Sequence, residues 1–194
     1  MISAYKSKFN PIILFFAKPL KSVNPSILTF LGLIPPLLFY YFMSRGEFIW
    51  ALISMVGMFF DTLDGAVARL TNRVSKFGGL LDSVIDRVAD TLFILGFYFL
   101  FSIPLELILV TIFQSLLISY IRARAEVDLA GKKLNVGIIE RPERLLIIAV
   151  ALLLEILFPL KSIAFWIFVI LNLLSFVTII QRLVFAQRLF VEKE

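Results

Sequence analysis

The chain has 194 residues, of which 60% are hydrophobic and 17% are charged, and its mean hydropathy is +0.98. This balance excludes an ordinary soluble domain, because apolar runs near or above the roughly 20 residues that cross a bilayer take up most of the length. The sequence contains no Cys and no His, so thiolate and imidazole chemistry are excluded. A bound metal would have oxygen ligands only, which favour Mg²⁺, Mn²⁺ or Ca²⁺. No nucleic-acid partner is expected.

In chain order, residues 1–22 are predicted to form an amphipathic helix on the membrane surface, because lysines surround a short apolar patch and no small-residue cleavage site follows. Pro35 and Pro36 fall inside the first apolar run and are expected to kink it. Asn24 and Arg141 each precede a proline, as at helix starts. The prediction is one all-α integral membrane domain, 1–194, with six transmembrane helices at 26–44, 48–70, 77–101, 104–126, 142–159 and 162–186.

The basic residues predict the orientation of these spans. Of the 19 Lys and Arg residues, only Arg45 and Lys161 fall on the side of the membrane opposite the two termini. The positive-inside rule then places both termini, and the link 70–77 between spans two and three, at the cytoplasmic face. We therefore expect a multi-pass protein of the cell membrane.

Four aspartates interrupt the apolar sequence on either side of this link, in FFDTLDGAVARLTNRVSKFGGLLDSVIDRVAD. Asp61 and Asp64 are three residues apart, so they share one face of a helix. Asp82 and Asp86 are four apart and share one face of the next helix. The short link is expected to bring both faces together near the cytoplasmic end of the bilayer. A charge at membrane depth costs roughly 2.5 kcal/mol or more, so the four acids predict a bound cation, for which we expect metal.

Small and basic residues continue the same faces. Gly65 and Ala68 leave room for a ligand against the backbone, and Arg69 offers a guanidinium fork that matches phosphate. Glycine and alanine in membrane helices also serve close helix packing, and membrane carboxylates also line ion pathways, so a divalent-cation transporter is the alternative from another class. Asp90, one turn further on, is either part of the site or a satisfied polar residue outside the metal shell.

The combined pattern resembles the signature of the CDP-alcohol phosphotransferase family, Asp-x2-Asp-Gly-x2-Ala-Arg-x8-Gly-x3-Asp-x3-Asp. Every specified position is met, by Asp61, Asp64, Gly65, Ala68, Arg69, Gly78, Asp82 and Asp86. The resemblance covers the whole chain. It implies six transmembrane helices preceded by a surface helix, in a protein that is usually a homodimer.

The same resemblance implies the chemistry: an acceptor hydroxyl attacks the β-phosphorus of a CDP-activated lipid, CDP-archaeol or CDP-diacylglycerol, and CMP leaves. Asp61, Asp64 and Asp82 are implied to hold two Mg²⁺ ions, for which Mn²⁺ can substitute. Asp86 is implied to be a ligand of the second ion and the general base. Without a Ser–His or Cys–His pair, direct in-line attack is expected from the residues themselves, and an aspartyl-phosphate stays open.

The nucleotide end of the substrate has its own set of candidates. By the resemblance, Arg69, Gly65, Ala68 and Gly78 contact the CDP-lipid. The motif NPSILT is similar to the family's entry to its first transmembrane helix, which adds the weaker candidates Asn24, Pro25 and Thr29. Helix capping alone would explain Asn24.

Arginines near the ends of spans four to six are the clue to the acceptor. The segments SYIRARAE and NVGIIERPERL resemble the branch of archaetidylinositol phosphate and phosphatidylinositol phosphate synthases, in which three basic residues bind the acceptor phosphate. By position these match Arg122, Arg144 and Arg182. Snorkelling towards the cytoplasmic face is the alternative explanation. The expected acceptor is 1L-myo-inositol 1-phosphate, and the alternative within the family is glycerol 3-phosphate, the acceptor of phosphatidylglycerophosphate synthase.

Overall fold

A computed structural model describes residues 15–57, 61–100, 102–129, 134, 136–159 and 162–191, without the side chains of Asp61 and Thr62. Within these ranges the chain forms helices and turns and contains no strand. The α-helices are α1 Pro25–Leu31, α2 Ile34–Ser44, α3 Phe48–Val56, α4 Asp61–Leu70, α5 Lys76–Gly96, α6 Leu105–Asp128, α7 Arg141–Leu157 and α8 Ile163–Val191. Most of the predicted surface helix lies outside the described residues, and its described end contains a 3₁₀ turn at Lys18–Leu20.

Three stretches of the described chain are long and apolar enough to cross a membrane: Pro25–Ser44, Leu105–Asp128 and Ile163–Val191. They overlap the first, fourth and sixth predicted spans, as expected for a membrane protein. The other three predicted spans also contain helices, namely α3 with α4, α5, and α7. That these cross the bilayer stays a prediction.

The first of these stretches is interrupted between α1 and α2. Pro35 and Pro36 have no N–H, so they cannot bond to the carbonyls of Leu31 and Gly32 one turn earlier. α1 accordingly ends at Leu31, and α2 begins at Ile34 with the prolines in its first turn. The expected kink is present as a break in the helix, which makes α1 a separate short helix that can pack independently.

By its contacts the chain divides into two compact units, 1–99 and 100–194. In the first unit α1 packs against both α4 and α5, and α2 packs against α3 and α5. Phe39 of α2 is fully buried and makes an edge contact with Phe93 of α5 at a ring distance of 5.2 Å. The two helices approach closely at Gly96, where an added Cβ would lie 2.5 Å from the Phe39 ring.

In the second unit α8 packs against both α6 and α7. A buried hydrogen bond joins α8 to α6, because Asn172 Nδ2 donates to Thr111 Oγ1 at 2.8 Å. Glu155 of α7 accepts a hydrogen bond at 3.0 Å from the backbone N–H of Ala164 in the first turn of α8. α8 is thus the central helix of this unit. The prediction of one single domain stays a prediction.

Candidate functional site

Asp64 is the most enclosed of the signature aspartates whose side chains the structure describes. Its neighbours on α4, Leu63, Ala66 and Val67, are buried together with Ala17, and this apolar face fixes how α4 is turned. Asp64 itself is only 7% exposed. Its Oδ2 accepts a hydrogen bond from the Thr29 hydroxyl at 2.5 Å, and its Oδ1 accepts one from the Gly65 N–H. Both carboxylate oxygens therefore have donors, which repay part of the cost of burying the charge.

The helix that supplies this hydroxyl, α1, is positioned by a proline and a cap. Pro25 stands in its first turn, and the Asn24 side chain accepts a hydrogen bond from the Ser26 N–H at 3.0 Å. Asn24 therefore does cap the helix, as the alternative explanation held, and its place beside a nucleotide stays a prediction. Because α1 contacts both α4 and α5, it is the common neighbour of the two aspartate helices.

The second aspartate pair lies on α5. This helix begins at Lys76, where Ser75 Oγ accepts a hydrogen bond from the Gly78 N–H at 2.9 Å and caps the helix. Asp82 and Asp86 are partly buried, and the side chain of Asp86 is 16% exposed. Arg87 Nη1 lies 3.8 Å from Asp86 Oδ2.

Asp90, one helical turn beyond Asp86, is more enclosed still, with 4% of its surface exposed. The spacing of four residues places Asp82, Asp86 and Asp90 along one face of α5. Along this helix, Asp82 and Asp86 are therefore partly exposed to solvent, whereas Asp90 is buried.

Arg69 lies against Gly65, one turn away on the same helix. A Cβ added at Gly65 would stand 3.3 Å from Arg69 Nη1. The space that glycine leaves here is thus bordered by a guanidinium group, and the role of Arg69 in binding phosphate stays a prediction. At Gly78 an added Cβ would stand 3.0 Å from the capping Ser75 Oγ, so this glycine accommodates the cap.

The candidate metal ligands are the acidic side chains of α4 and α5. Among the described side chains, which exclude that of Asp61, no three acidic groups lie close enough to hold one metal ion. The predicted four-aspartate set therefore stays a prediction. The chemistry of the donors fits a hard divalent cation, since the signature positions offer carboxylate oxygens on two helices that share α1 as neighbour.

Arg182 of α8 has a partner at each of its three guanidinium nitrogens. Its side chain is 3% exposed. Nε donates to the Val136 carbonyl at 2.9 Å, Nη1 donates to the Ile118 carbonyl at 2.6 Å, and Nη2 lies 3.9 Å from Glu140 Oε1. Arg182 therefore ties α8 both to α6 and to the segment that precedes α7.

This segment, which we call the 134–140 segment although residue 135 is not described, lies directly on α8. The Ile139 N–H donates to Thr178 Oγ1 at 3.1 Å. Gly137 has φ of +139°, and a Cβ there would stand 2.6 Å from Thr178 Cγ2. Glycine is required at this position both for the backbone conformation and for the close approach.

Arg122 and Arg144 complete the arginine cluster, by which we mean Arg122, Arg144 and Arg182. Arg122 Nε donates to Glu126 Oε1 at 2.9 Å, and its side chain is 40% exposed. Arg144 is 1% exposed on α7. Arg182 interacts electrostatically with the other two arginines and with Glu126 and Glu140. All three predicted arginines thus lie in the second unit, with Arg182 within electrostatic range of the other two.

Comparison with known proteins identifies the family. Residues 22–189 match the profile of the CDP-alcohol phosphatidyltransferase family. The chain belongs to this family. It is 37% identical over 191 residues to the archaetidylinositol phosphate synthase of Pyrococcus horikoshii, a match that covers 97% of each chain. Family membership makes the protein a transferase and confirms the resemblance carried by the aspartate signature.

Solved structures agree with this assignment. A crystal structure of the phosphatidylinositol phosphate synthase of Mycobacterium tuberculosis with CDP-DAG bound has a TM-score of 0.79 and 28% identity, covering 91% of this chain and 94% of that chain. A second crystal structure of the same enzyme, in complex with manganese and citrate, has a TM-score of 0.80 and 27% identity, covering 90% and 88% of the two chains. The described helices therefore have the fold of this family member.

Sequence reasoning did not single out Ser75, Glu126 or Glu140. For Glu126 a signal existed, because Arg122 and Glu126 stand four apart on a helix, the spacing of an ion pair. Ser75 stands three residues before Gly78, which is a capping distance. The approach of Glu140 to Arg182 joins residues on different elements and has no sequence signal.

Proposed function

We propose that the protein transfers the lipid phosphate group of a CDP-activated lipid, CDP-archaeol or CDP-diacylglycerol, to a hydroxyl of 1L-myo-inositol 1-phosphate and releases CMP. The observation that carries the choice of acceptor is the arginine cluster. Arg182 interacts electrostatically there with Arg122 and Arg144 and with the carboxylates of Glu126 and Glu140, so three cationic groups stand against two anionic ones. A phosphate on the acceptor would neutralise that excess. The archaetidylinositol phosphate synthase relative supports the same class of product.

For the reacting phosphates, the proposal assigns Asp61, Asp64, Asp82 and Asp86 to two Mg²⁺ or Mn²⁺ ions. Bound there, the ions would neutralise the pyrophosphate and the departing CMP. The protein positions these groups: the Thr29 hydroxyl donates a hydrogen bond to one oxygen of Asp64, and Gly65 leaves room for the guanidinium group of Arg69. The manganese complex of the solved relative supports a divalent requirement.

Asp86 is proposed to be the general base. It would accept the proton of the acceptor hydroxyl while the hydroxyl oxygen forms its bond to the β-phosphorus and the bond from that phosphorus to the CMP oxygen breaks. The electron pair of the broken bond leaves with CMP, so no covalent enzyme intermediate is needed. A partly exposed carboxylate on the face shared with Asp82 suits this role, because it can reach both substrate and solvent.

The nucleotide is proposed to lie near the α1 and α4 backbones. Arg69 would contact its phosphate, with Ala68 and Gly65 leaving space beside it. The proposed set also includes Gly78 near the start of α5, Asn24 and Pro25 at the start of α1, and Thr29 within α1. The solved relative with CDP-DAG bound supports a CDP-lipid as the substrate.

In the membrane, the proposal keeps six transmembrane helices at 26–186 after a surface helix at 1–22, with both termini and the active site on the cytoplasmic side. The distribution of Lys and Arg supports this orientation. A homodimer is proposed from the family resemblance. Membrane lipids would then surround the three apolar stretches of the described chain.

The test is a panel of acceptors. Purified protein is incubated with CDP-archaeol or CDP-diacylglycerol, Mg²⁺ and, separately, inositol 1-phosphate, free inositol and glycerol 3-phosphate, and CMP release is measured. We expect rapid release with inositol 1-phosphate and little with free inositol. Preference for glycerol 3-phosphate would instead identify a phosphatidylglycerophosphate synthase. Divalent-ion flux through liposomes without nucleotide would identify a transporter.

A further inference from the structure

Glu126 joins two parts of the second unit through a single carboxylate oxygen. Its Oε1 accepts from Arg122 Nε at 2.9 Å and from the backbone N–H of Leu134 at 3.0 Å. Leu134 is fully buried in the core formed with Ile118 and Ile179. One end of this contact is therefore anchored in packed structure, and the other holds a side chain that is 40% exposed.

The nitrogen that Glu126 uses determines what Arg122 can still do. A guanidinium group binds phosphate best as a fork, through a pair of parallel N–H groups. The hydrogen bond from Arg122 Nε to Glu126 fixes the plane of the guanidinium group. The carboxylate then lies on the Nε edge of that group. The terminal nitrogens make no further hydrogen bond within the described part of the chain. Without such an anchor, the long side chain would lose rotamer entropy each time it ordered around a ligand.

A second ion pair on the same helix, Arg124 with Asp128, is an exposed surface contact and serves as a comparison. Arg124 Nη1 lies 3.2 Å from Asp128 Oδ1, also four residues apart, but the two side chains are 61% and 36% exposed. That pair uses a terminal nitrogen, whereas Arg122 uses Nε. Exposed pairs of this kind contribute little to stability or position. The Arg122 and Glu126 pair is the one tied to the core.

We propose that Glu126 is a positioning residue that orients Arg122 to receive the phosphate of the acceptor, an inference that rests on the proposed function. The ligand group is a phosphomonoester dianion. Glu126 itself does not touch that phosphate, which it would repel; it acts through the guanidinium that stands between them.

The same carboxylate also connects Arg122 with the rest of the arginine cluster. The 134–140 segment is held at Leu134 by Glu126 and at Val136 by Arg182. The position of Arg122 is thus set by the segment that Arg182 also holds. Arg122 and Arg182 are therefore connected through this segment and are not independent side chains.

The test is a double-mutant cycle in the full-length protein, measured with CDP-lipid, Mg²⁺ and inositol 1-phosphate. We expect Glu126→Ala to raise the KM for the acceptor by about tenfold, with the KM for CDP-lipid unchanged and kcat within about threefold of the parent. In an Arg122→Ala background the same change should add less than about twofold, because the residue through which Glu126 acts is gone.

Glu126→Gln is the conservative variant. Its amide oxygen can still accept from both donors, so the acceptor KM should rise by only about threefold. This variant keeps the test valid if Glu126→Ala lowers the folded yield. Asp128→Ala, which removes the exposed pair with Arg124, is the matched control and should leave both KM values unchanged.

Several results would overturn the inference. Multiplicative effects of Glu126→Ala and Arg122→Ala, or equal rises in the KM for both substrates, would show a purely structural role for Glu126. If Arg122→Ala itself leaves the acceptor KM unchanged, or if the parent does not use a phosphorylated acceptor, the proposed function fails and this inference fails with it. A raised acceptor KM in Arg122→Ala with a normal one in Glu126→Ala would overturn the role of Glu126 alone.

Discussion

The hydroxyl of Thr29 and the carboxylate of Asp64 stand 35 residues apart in the chain and 2.5 Å apart in the fold. Both groups are almost fully enclosed, with 3% and 7% of their residue surfaces exposed. A buried carboxylate without donors is costly, so this hydroxyl supports the ionised form that a metal ligand needs. The two residues act as one unit of the proposed metal site.

Removing that hydroxyl should therefore weaken the enzyme. A charge-assisted hydrogen bond contributes roughly 1.5–3 kcal/mol, so Thr29→Val should reduce kcat/KM by about tenfold or more and raise the Mg²⁺ concentration needed for half-maximal activity. Thr91→Val is the control, because the Thr91 hydroxyl bonds to the Arg87 carbonyl of its own helix at 2.8 Å. Equal activity of the two variants would show that the Thr29 hydroxyl does not support the proposed metal site.

The proposed base permits a second test at this scale. Asp86→Asn keeps the size of the side chain and an oxygen, but it cannot accept a proton at neutral pH. Turnover should fall by about 10²-fold or more, whereas binding of CDP-lipid, measured by calorimetry or a fluorescent analogue, should largely survive. Near-normal turnover would show that the acceptor proton goes to another group.

At the scale of helices, two of the three glycines of α5, Gly79 and Gly96, lie in very different surroundings. A Cβ at Gly79 would meet nothing within 4 Å, whereas one at Gly96 would stand 2.5 Å from Phe39 Cε1. Alanine is the better helix former by about 1 kcal/mol, and overpacking a core costs about 1–3 kcal/mol. Gly79→Ala should raise the midpoint of thermal unfolding, and Gly96→Ala should lower it.

The measurement is the thermal midpoint of each variant in the same detergent, followed by tryptophan fluorescence. Both substitutions are identical and lie in one helix, so helix propensity alone predicts shifts of the same sign. Opposite shifts would establish that α2 and α5 pack closely at Gly96. Shifts of equal sign and size would contradict the close contact with Phe39.

Much of the arrangement of helices along the chain was predictable from the sequence. The apolar runs located helices close to the observed bounds, and the missing N–H groups of Pro35 and Pro36 explain the break that separates α1 from α2. The aspartate signature identified the family because its spacing is a local property. The start of α7 was expected with Arg141 as its cap, and the helix instead begins at Arg141 with Glu140 in that position.

Other features were out of reach because they depend on packing between distant residues. No local pattern shows that α1 contacts both α4 and α5, since apolar helices have many alternative partners. The bonds of Arg182 to the Ile118 and Val136 carbonyls are equally invisible, because every residue has a carbonyl. The sequence shows where the charged residues lie along the chain, but only the structure shows which groups they bond.

For the whole molecule, the proposed reaction requires divalent ions. Four carboxylates repel one another without cations, so excess EDTA should abolish CMP release, and added Mg²⁺ or Mn²⁺ should restore it. The protein should keep its helical circular dichroism throughout, because each described unit has its own apolar packing. Full turnover in excess chelator would contradict the two-ion assignment.

The most direct measurement of the central claim is the composition of the lipid product. With CDP-archaeol and inositol 1-phosphate, phosphorus NMR and mass spectrometry should show a lipid with one phosphodiester and one phosphomonoester, formed in equal amount to CMP. That result is predicted because the acceptor reacts through a hydroxyl while the arginine cluster holds its phosphate. A lipid with a single phosphorus, whether from attack by water or by an acceptor that carries no phosphate, would contradict the account.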